Sequence, residues 1–260
     1  SIGHFTKTVE ESAIFINVTA GKDELDSTTS ELAVPDYTTS LNKDIKGLKI
    51  GVPEEYFTKG MDPKIKENIE QAIKVYKDQG AIIEEVSLPY TEYAIACYYI
   101  IVPAEISSNL ARFDGIRFGN LRSEFGSEAK RRIMLGTFTL SVGYYDAYYK
   151  KAMKVRTLIL KDFENAFKNV DVIFAPNSPT MPWKLGEKAN DPLAMYLSDA
   201  LTVTGNIAGI PGLSVPTGFI DGLPVGMQIL GPHFSEDLLF NVGHKYETAH
   251  KWYERNPNDK

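Results

Sequence analysis

Three stretches of this sequence predict an α/β fold. Leu48-Lys-Ile-Gly-Val52 is a short apolar run closed by Pro53, and Ala81–Val86 is a second, closed by Pro89. Between them Ile65, Ile69, Ile73 and Tyr76 recur at helical spacing. Strand, helix and strand at these separations read as a right-handed crossover joining two parallel strands. The third stretch, Asp171-Val-Ile-Phe-Ala-Pro176, is a buried strand that runs straight into the loop Asn177-Ser-Pro-Thr-Met-Pro182. Loops at the C-terminal ends of strands are where open α/β sheets bind ligands. With 260 residues, 43% of them hydrophobic, the chain can bury a large core.

The remaining elements follow in order. Thr8 is placed to cap a helix that stops at Gly21, and Glu10 and Glu11 suit its positive end. Asn17-Val-Thr19 has the letters of a glycosylation acceptor, a motif too short to carry weight here. Lys22–Lys46 is polar and predicts an irregular connection over the surface. Asp62 and Pro63 supply the cap and first residue of the crossover helix, which Gly80 closes. Thr91–Arg112 is long, apolar and rich in tyrosine, a helix kinked or divided at Pro103.

After the break at Phe113–Gly119, Ser127–Thr139 reads as a second helix carrying Lys130, Arg131 and Arg132. Tyr144–Asn169 is a third. Ala147, Ala152, Val155, Leu158, Ile159, Phe163 and Phe167 make its apolar face, and Lys150, Lys151, Lys154 and Lys161 its wet face. Asp191–Leu201 is a short helix. Gly205, Gly209, Pro211, Gly212 and Pro216 are too many breakers for a helix or an ordinary strand, yet they alternate with apolar residues. Gly205–Pro216 is therefore expected to be buried irregular backbone, serving as a pocket wall or as a tight structural connection. Leu223–Gly231 returns to strand character. Ser235–Ala249 is a terminal helix capped by Ser235, and Lys251–Lys260 a frayed polar tail.

Composition excludes several functions. The net charge of −6 gives no general attraction to phosphate backbones, so any nucleic acid is expected on another subunit. One cysteine, Cys97, leaves no disulfide framework, and a buried inert thiol is expected. No apolar run reaches the ~18–20 residues that span a bilayer. The start, Ser1 to Ser12, lacks a signal peptide's basic and apolar regions and an initiator Met, so Ser1 is expected to be internal to a longer protein. A cytoplasmic location with no membrane role is the expectation.

Spacing alone does not name a reaction. His4, His233, His244 and His250 show no metal-ligand pattern, and His244 and His250, six apart, fall on different helix faces with surface roles expected. There is no Walker loop, no nucleophile elbow and no dinucleotide fingerprint after a strand. Three polar groups lie in apolar surroundings. Arg132 precedes Ile-Met-Leu-Gly-Thr-Phe and is either a ligand or part of a solvated basic face. Asp199 stands at the entry of the proline–glycine stretch and is either a ligand or a surface acid. Tyr98 sits in the tyrosine-rich helix as a pocket residue or a core tyrosine. Converging on one pocket, the three would suit a free α-amino acid, the guanidinium taking the α-carboxylate and the carboxylate the α-ammonium.

Arg131-Arg-Ile-Met-Leu-Gly-Thr-Phe138, Gly143-Tyr-Tyr-Asp-Ala-Tyr-Tyr149 with Lys154-Val-Arg-Thr-Leu158, and Asn206-Ile-Ala-Gly-Ile-Pro-Gly-Leu-Ser-Val-Pro216 with Gly222-Leu-Pro-Val-Gly-Met-Gln228 resemble the amidase signature family. The likeness runs over essentially the whole chain. The first two point to its tRNA-dependent amidotransferase branch. The resemblance implies one α/β domain around a mixed sheet, of which residues 1–260 are the C-terminal portion. It implies hydrolysis of glutamine by a serine, a second serine in a cis peptide and a lysine. It also implies ammonia delivery to a B subunit that uses ATP and Mg and holds the tRNA, a small C subunit bracing the pair, and no cofactor in the hydrolytic subunit itself. By position, Arg132 holds the glutamine α-carboxylate, Asp199 its α-ammonium, and Tyr98 lies at the pocket edge.

The sequence departs from the family in three places, the slightest at His4, where relatives more often show proline. The glycine- and serine-rich signature bearing the catalytic residues lies upstream of Ser1, so no serine of this chain is assigned as nucleophile. At Asn120-Leu121 relatives carry a longer charged connection, which is either short in this protein or interrupted in the sequence. Two other readings stay open: an amidase for small or apolar amides, and a non-catalytic interaction fragment.

Overall fold

The computed structural model describes residues 3–57, 60–188 and 191–255. Strand β1 (Lys49–Pro53) pairs in parallel with β2 (Ile82–Val86), Lys49 lying opposite Ile82. Helix α2 (Pro63–Asp78) joins them, with the Asp62 side chain accepting the Lys64 N–H at 2.8 Å and Pro63 in the first turn. Its predicted face is inside: Ile65, Ile69 and Tyr76 are buried. The Tyr76 ring meets Phe174 edge-on at 4.7 Å. Strand β3 (Val172–Pro176) is buried along its whole length.

β3 lies parallel to β1 on one side and antiparallel to β5 (Leu223–Leu230) on the other. β4 (Gly212–Ile220) pairs antiparallel with β5, giving a mixed sheet in the order β2-β1-β3-β5-β4. Two further helices cover it. α1 (Val9–Thr19) carries the expected cap, Thr8 and Glu11 bonding reciprocally to each other's backbone N–H. α8 (Glu236–His250) stacks Tyr246 on Tyr76, and its Glu247 carboxylate accepts the Val9 N–H at 2.9 Å.

The other helices flank the sheet: α3 (Ala94–Leu110), α4 (Ser127–Thr139), α5 (Lys150–Ala166), α6 (Pro192–Leu197) and α7 (Val203–Ala208). Pro103 neither ends nor divides α3. A single π turn, Tyr145–Tyr149, precedes α5, which buries Ala152, Ile159 and Phe163 but leaves Leu158 exposed. No helix among the described residues is long and apolar enough to cross a membrane.

The largest departure from expectation is Gly205–Pro216, which is regular. Gly205 lies inside α7, Gly209 ends that helix with φ 74°, and β4 starts at Gly212. A left-handed terminal residue is the usual role of glycine after a helix. Pro216 is accommodated because β4 is an edge strand, where a missing N–H breaks fewer ladder bonds. α7 is fixed by Arg156, whose Nε donates to the Ile207 carbonyl at 3.0 Å, and by a buried bond between Tyr56 and Thr204.

Smaller corrections have local causes. Lys22–Lys46 is not wholly superficial: Tyr37, Leu41 and Ile45 are buried, and Ser40 Oγ donates to the Asp237 carbonyl at 3.0 Å. Ser235 is the N-cap residue of α8 as expected, but its hydroxyl donates to the Pro232 carbonyl and makes no capping bond. His244 and His250 are half-buried rather than superficial. His244 lies 3.8 Å from Glu247, and His250 stacks on Tyr246 and Trp252. Phe113–Phe125 closes on itself, with Arg122 Nη2 donating to the Ala111 carbonyl at 3.3 Å. The predicted polar tail is folded to Glu254, Trp252 packing on Phe219, and its last five residues lie outside the described ones.

Candidate substrate-recognition site

The site begins with a backbone contact between two helices. Gly136 of α4 lies against the Pro103 carbonyl and the Ala104 nitrogen of α3, and a Cβ at Gly136 would overlap both. One turn N-terminal in each helix stand Arg132 and Tyr99. The Arg132 guanidinium carbon lies 5.5 Å from the centre of the Tyr99 ring. Its Nε donates to Glu128 Oε1 at 2.9 Å and its side chain is 22% exposed. Burial disfavours the charge, but bonds to Glu128 and Tyr98 outweigh it and hold the guanidinium firmly protonated.

The second wall comes from α6 and the turn after it. Tyr196 stacks on Tyr99 at 4.0 Å between ring centres, and its hydroxyl donates to Glu128 Oε1 at 3.3 Å. Three residues on, Asp199 Oδ2 accepts the Tyr99 hydroxyl at 3.3 Å. Burial, and then the Asp199 charge, push the Tyr99 phenol well above its usual range, so it acts as a donor. The Asp199 turn is pinned from below by Gln228, which is buried in β5. Its Nε2 donates to the carbonyls of Leu201 at 2.7 Å and Pro176 at 3.0 Å.

Asp199 also lines a cleft of about 530 Å³ at the C-terminal end of β3, with Asn177, Ser178, Trp183, Thr202 and Gly226. This is the loop that its place at the C-terminal end of a buried strand marks as a ligand site. Arg132 and Tyr98 lie outside the lining of that cleft, and Tyr99 links them to Asp199. Ser178 and Ser198, the serines on the cleft, donate to the backbone carbonyls of Thr180 and Met195. Cys97 is buried, its thiol raised to about 11 by desolvation, as an inert thiol should be. Among the described residues no cluster of His, Cys, Asp or Glu could hold a metal. A cation and an anion thus meet the same tyrosine, Arg132 beside its ring and Asp199 at its hydroxyl.

The three residues singled out in the sequence thus fall in one network. Tyr98 packs its ring edge-on to Tyr99 at 5.0 Å, between the core and Arg132. Sequence reasoning missed Tyr99, Glu128 and Tyr196. Glu128 was legible as the i−4 partner of Arg132 on one helix face. Tyr99 and Tyr196 carried no signal beyond aromatic character.

Comparison with known proteins gives the family and the fold. The family model described as Amidase matches residues 1–240. The A subunit of glutamyl-tRNA(Gln) amidotransferase from Caldanaerobacter subterraneus subsp. tengcongensis is 55% identical over 266 residues, covering 96% of this chain and 54% of the relative. The protein of the same name from Pseudomonas fluorescens is 51% identical, covering 98% and 56%. Among solved structures, the A subunit of glutamyl-tRNA(Gln) amidotransferase from Thermotoga maritima superimposes with a TM-score of 0.79 at 40% identity, covering 97% of this chain and 53% of that one. A bacterial aryl acylamidase of the amidase signature enzymes gives 0.81 at 25% identity, covering 98% and 54%. The chain spans about half the length of the curated relatives it matches. It has the amidase signature fold, with a five-stranded mixed sheet, and it belongs to the amidase family.

Proposed function

We propose that this chain is the C-terminal portion of the single amidase domain of a glutamine-hydrolysing amidotransferase, and that it forms the wall recognising free glutamine. One observation carries the reading: Arg132 and Asp199, opposite charges on separate elements, address the face and the hydroxyl of Tyr99. An uncharged amide has no use for that pair. Arg132 then receives the α-carboxylate through its terminal nitrogens, Asp199 receives the α-ammonium, and Tyr98 borders the pocket. The bond-breaking serine belongs to the part of the relatives beyond this chain.

The name of the 55% identical relative supports service to tRNA amidation. On that basis the partners are B and C subunits, with tRNA, ATP and Mg on the B subunit, no cofactor in this one, and the cytoplasm as location. Exposed Met134, Phe138 and Val142 on and just after α4 support packing against further protein, since apolar groups this large rarely cluster in water.

Glutamine hydrolysis by the intact protein tests the reading. Arg132→Ala is expected to raise KM for glutamine strongly, because stripping one partner from a charged contact costs about 2–5 kcal/mol. Hydrolysis of a simple aliphatic amide should stay within about twofold, less than ~0.5 kcal/mol. Unchanged glutamine kinetics would remove Arg132 from the site. A preference for aliphatic amides over glutamine would favour the small-amide reading instead.

A further inference from the structure

Resting on the glutamine reading, we infer that Tyr99 is the positioning residue of this site, the group that sets the spacing between Arg132 and Asp199. No sequence pattern marks it, and neither charged residue touches the other. α4 supplies Arg132 and the turn after α6 supplies Asp199. These elements come from distant parts of the chain, and α3 lies between them. Among the described residues, Tyr99 is the α3 side chain that meets both.

Each of its surfaces has a partner. One lies 5.5 Å from the Arg132 guanidinium. The ring stacks on Tyr196 at 4.0 Å and an interplanar angle of 30°. The edge meets Tyr98 at 5.0 Å. The hydroxyl donates to Asp199 Oδ2. That last bond leaves Oδ1 of Asp199 free of Tyr99 and available to a ligand ammonium. At Arg132 the ring face takes up no hydrogen bond, while Nε is held by Glu128 and Tyr98 supplies a further bond.

The loop of contacts closes through Glu128, which accepts from both Arg132 and Tyr196. Tyr196 is three residues before Asp199, so its stacking on Tyr99 also fixes where the turn places the carboxylate. Tyr99 therefore acts on the substrate through its neighbours. Losing its hydroxyl should loosen Asp199 alone, whereas losing its ring should loosen both charges.

The test is a mutant cycle on the intact protein, read as KM and kcat for glutamine and for an uncharged aliphatic amide. Tyr99→Phe is expected to raise KM for glutamine about tenfold, the worth of one hydrogen bond to a charged group. Its kcat and its aliphatic-amide kinetics should move less than about twofold. In an Asp199→Asn background, Tyr99→Phe should add little, because the hydroxyl then has no charged partner to hold. Tyr99→Leu should exceed Tyr99→Phe, and Tyr99→Trp, which keeps a stacking face, should fall between them.

If Asp199→Asn raises KM but Tyr99→Phe does nothing, or adds in full, Tyr99 is not the positioning residue and the glutamine reading survives. If Asp199→Asn leaves glutamine kinetics unchanged, the glutamine reading fails and this inference falls with it. Equal losses toward both substrates in Tyr99→Phe would mean a merely structural ring and would overturn the inference.

Discussion

In β3 every residue from Val172 to Pro176 is buried, whereas in the 13-residue α4 only Gly136 is. β3 sits mid-sheet under Tyr76 and between two partners, and it is held by apolar area. α4 packs along α3 through its half-buried face, with a close backbone approach at Pro103 and polar links that pass through Glu128. The difference separates stability from recognition. An element fixed by area tolerates polar change poorly but needs no particular side-chain geometry beyond volume. A half-exposed element with directed contacts buries less area, yet it sets the angle at which a guanidinium is presented.

Substitutions in the two elements should therefore part company. The largest effect on stability is expected from Phe174→Ala, which empties a fully buried ring site and should cost about 3–5 kcal/mol. Denaturant unfolding of the intact protein would show it, with KM for glutamine in the folded fraction little changed. Gly136→Ala should cost at least the usual ~1–3 kcal/mol of overpacking, because the new methyl meets backbone rather than a side chain. It should also raise KM for glutamine clearly, because the new methyl drives α4 off the Pro103 carbonyl and carries Arg132 away from Tyr99. A Gly136→Ala protein that loses stability but keeps its glutamine KM would break the comparison.

What could be read in the sequence divides along the same line. β1, α2 and β2 were legible because each signal is local: an apolar run, a capping Asp62, a 3.6-residue period, a closing proline. Gly205–Pro216 is regular despite its breakers because the surroundings of each decide its effect. Gly205 packs into a helix against Leu230, and Pro216 rests on an edge that no sequence pattern reveals. Of the site, the polar residues stood out against apolar neighbours, so Arg132, Asp199 and Tyr98 could be named. Their meeting point could not. Tyr99 adjoins Tyr98 in an apolar helix, and its importance arises from α4 and α6 arriving from opposite sides, which is tertiary information.

The most direct measurement is the structure of the intact protein with glutamine bound. The α-carboxylate is expected within ~3 Å of the Arg132 terminal nitrogens and the α-ammonium within ~3 Å of Asp199, the range of charge-assisted bonds. Tyr99 should still donate to Asp199. Glutamine seated elsewhere in the cleft, making no contact with Arg132 or Asp199, would contradict the account.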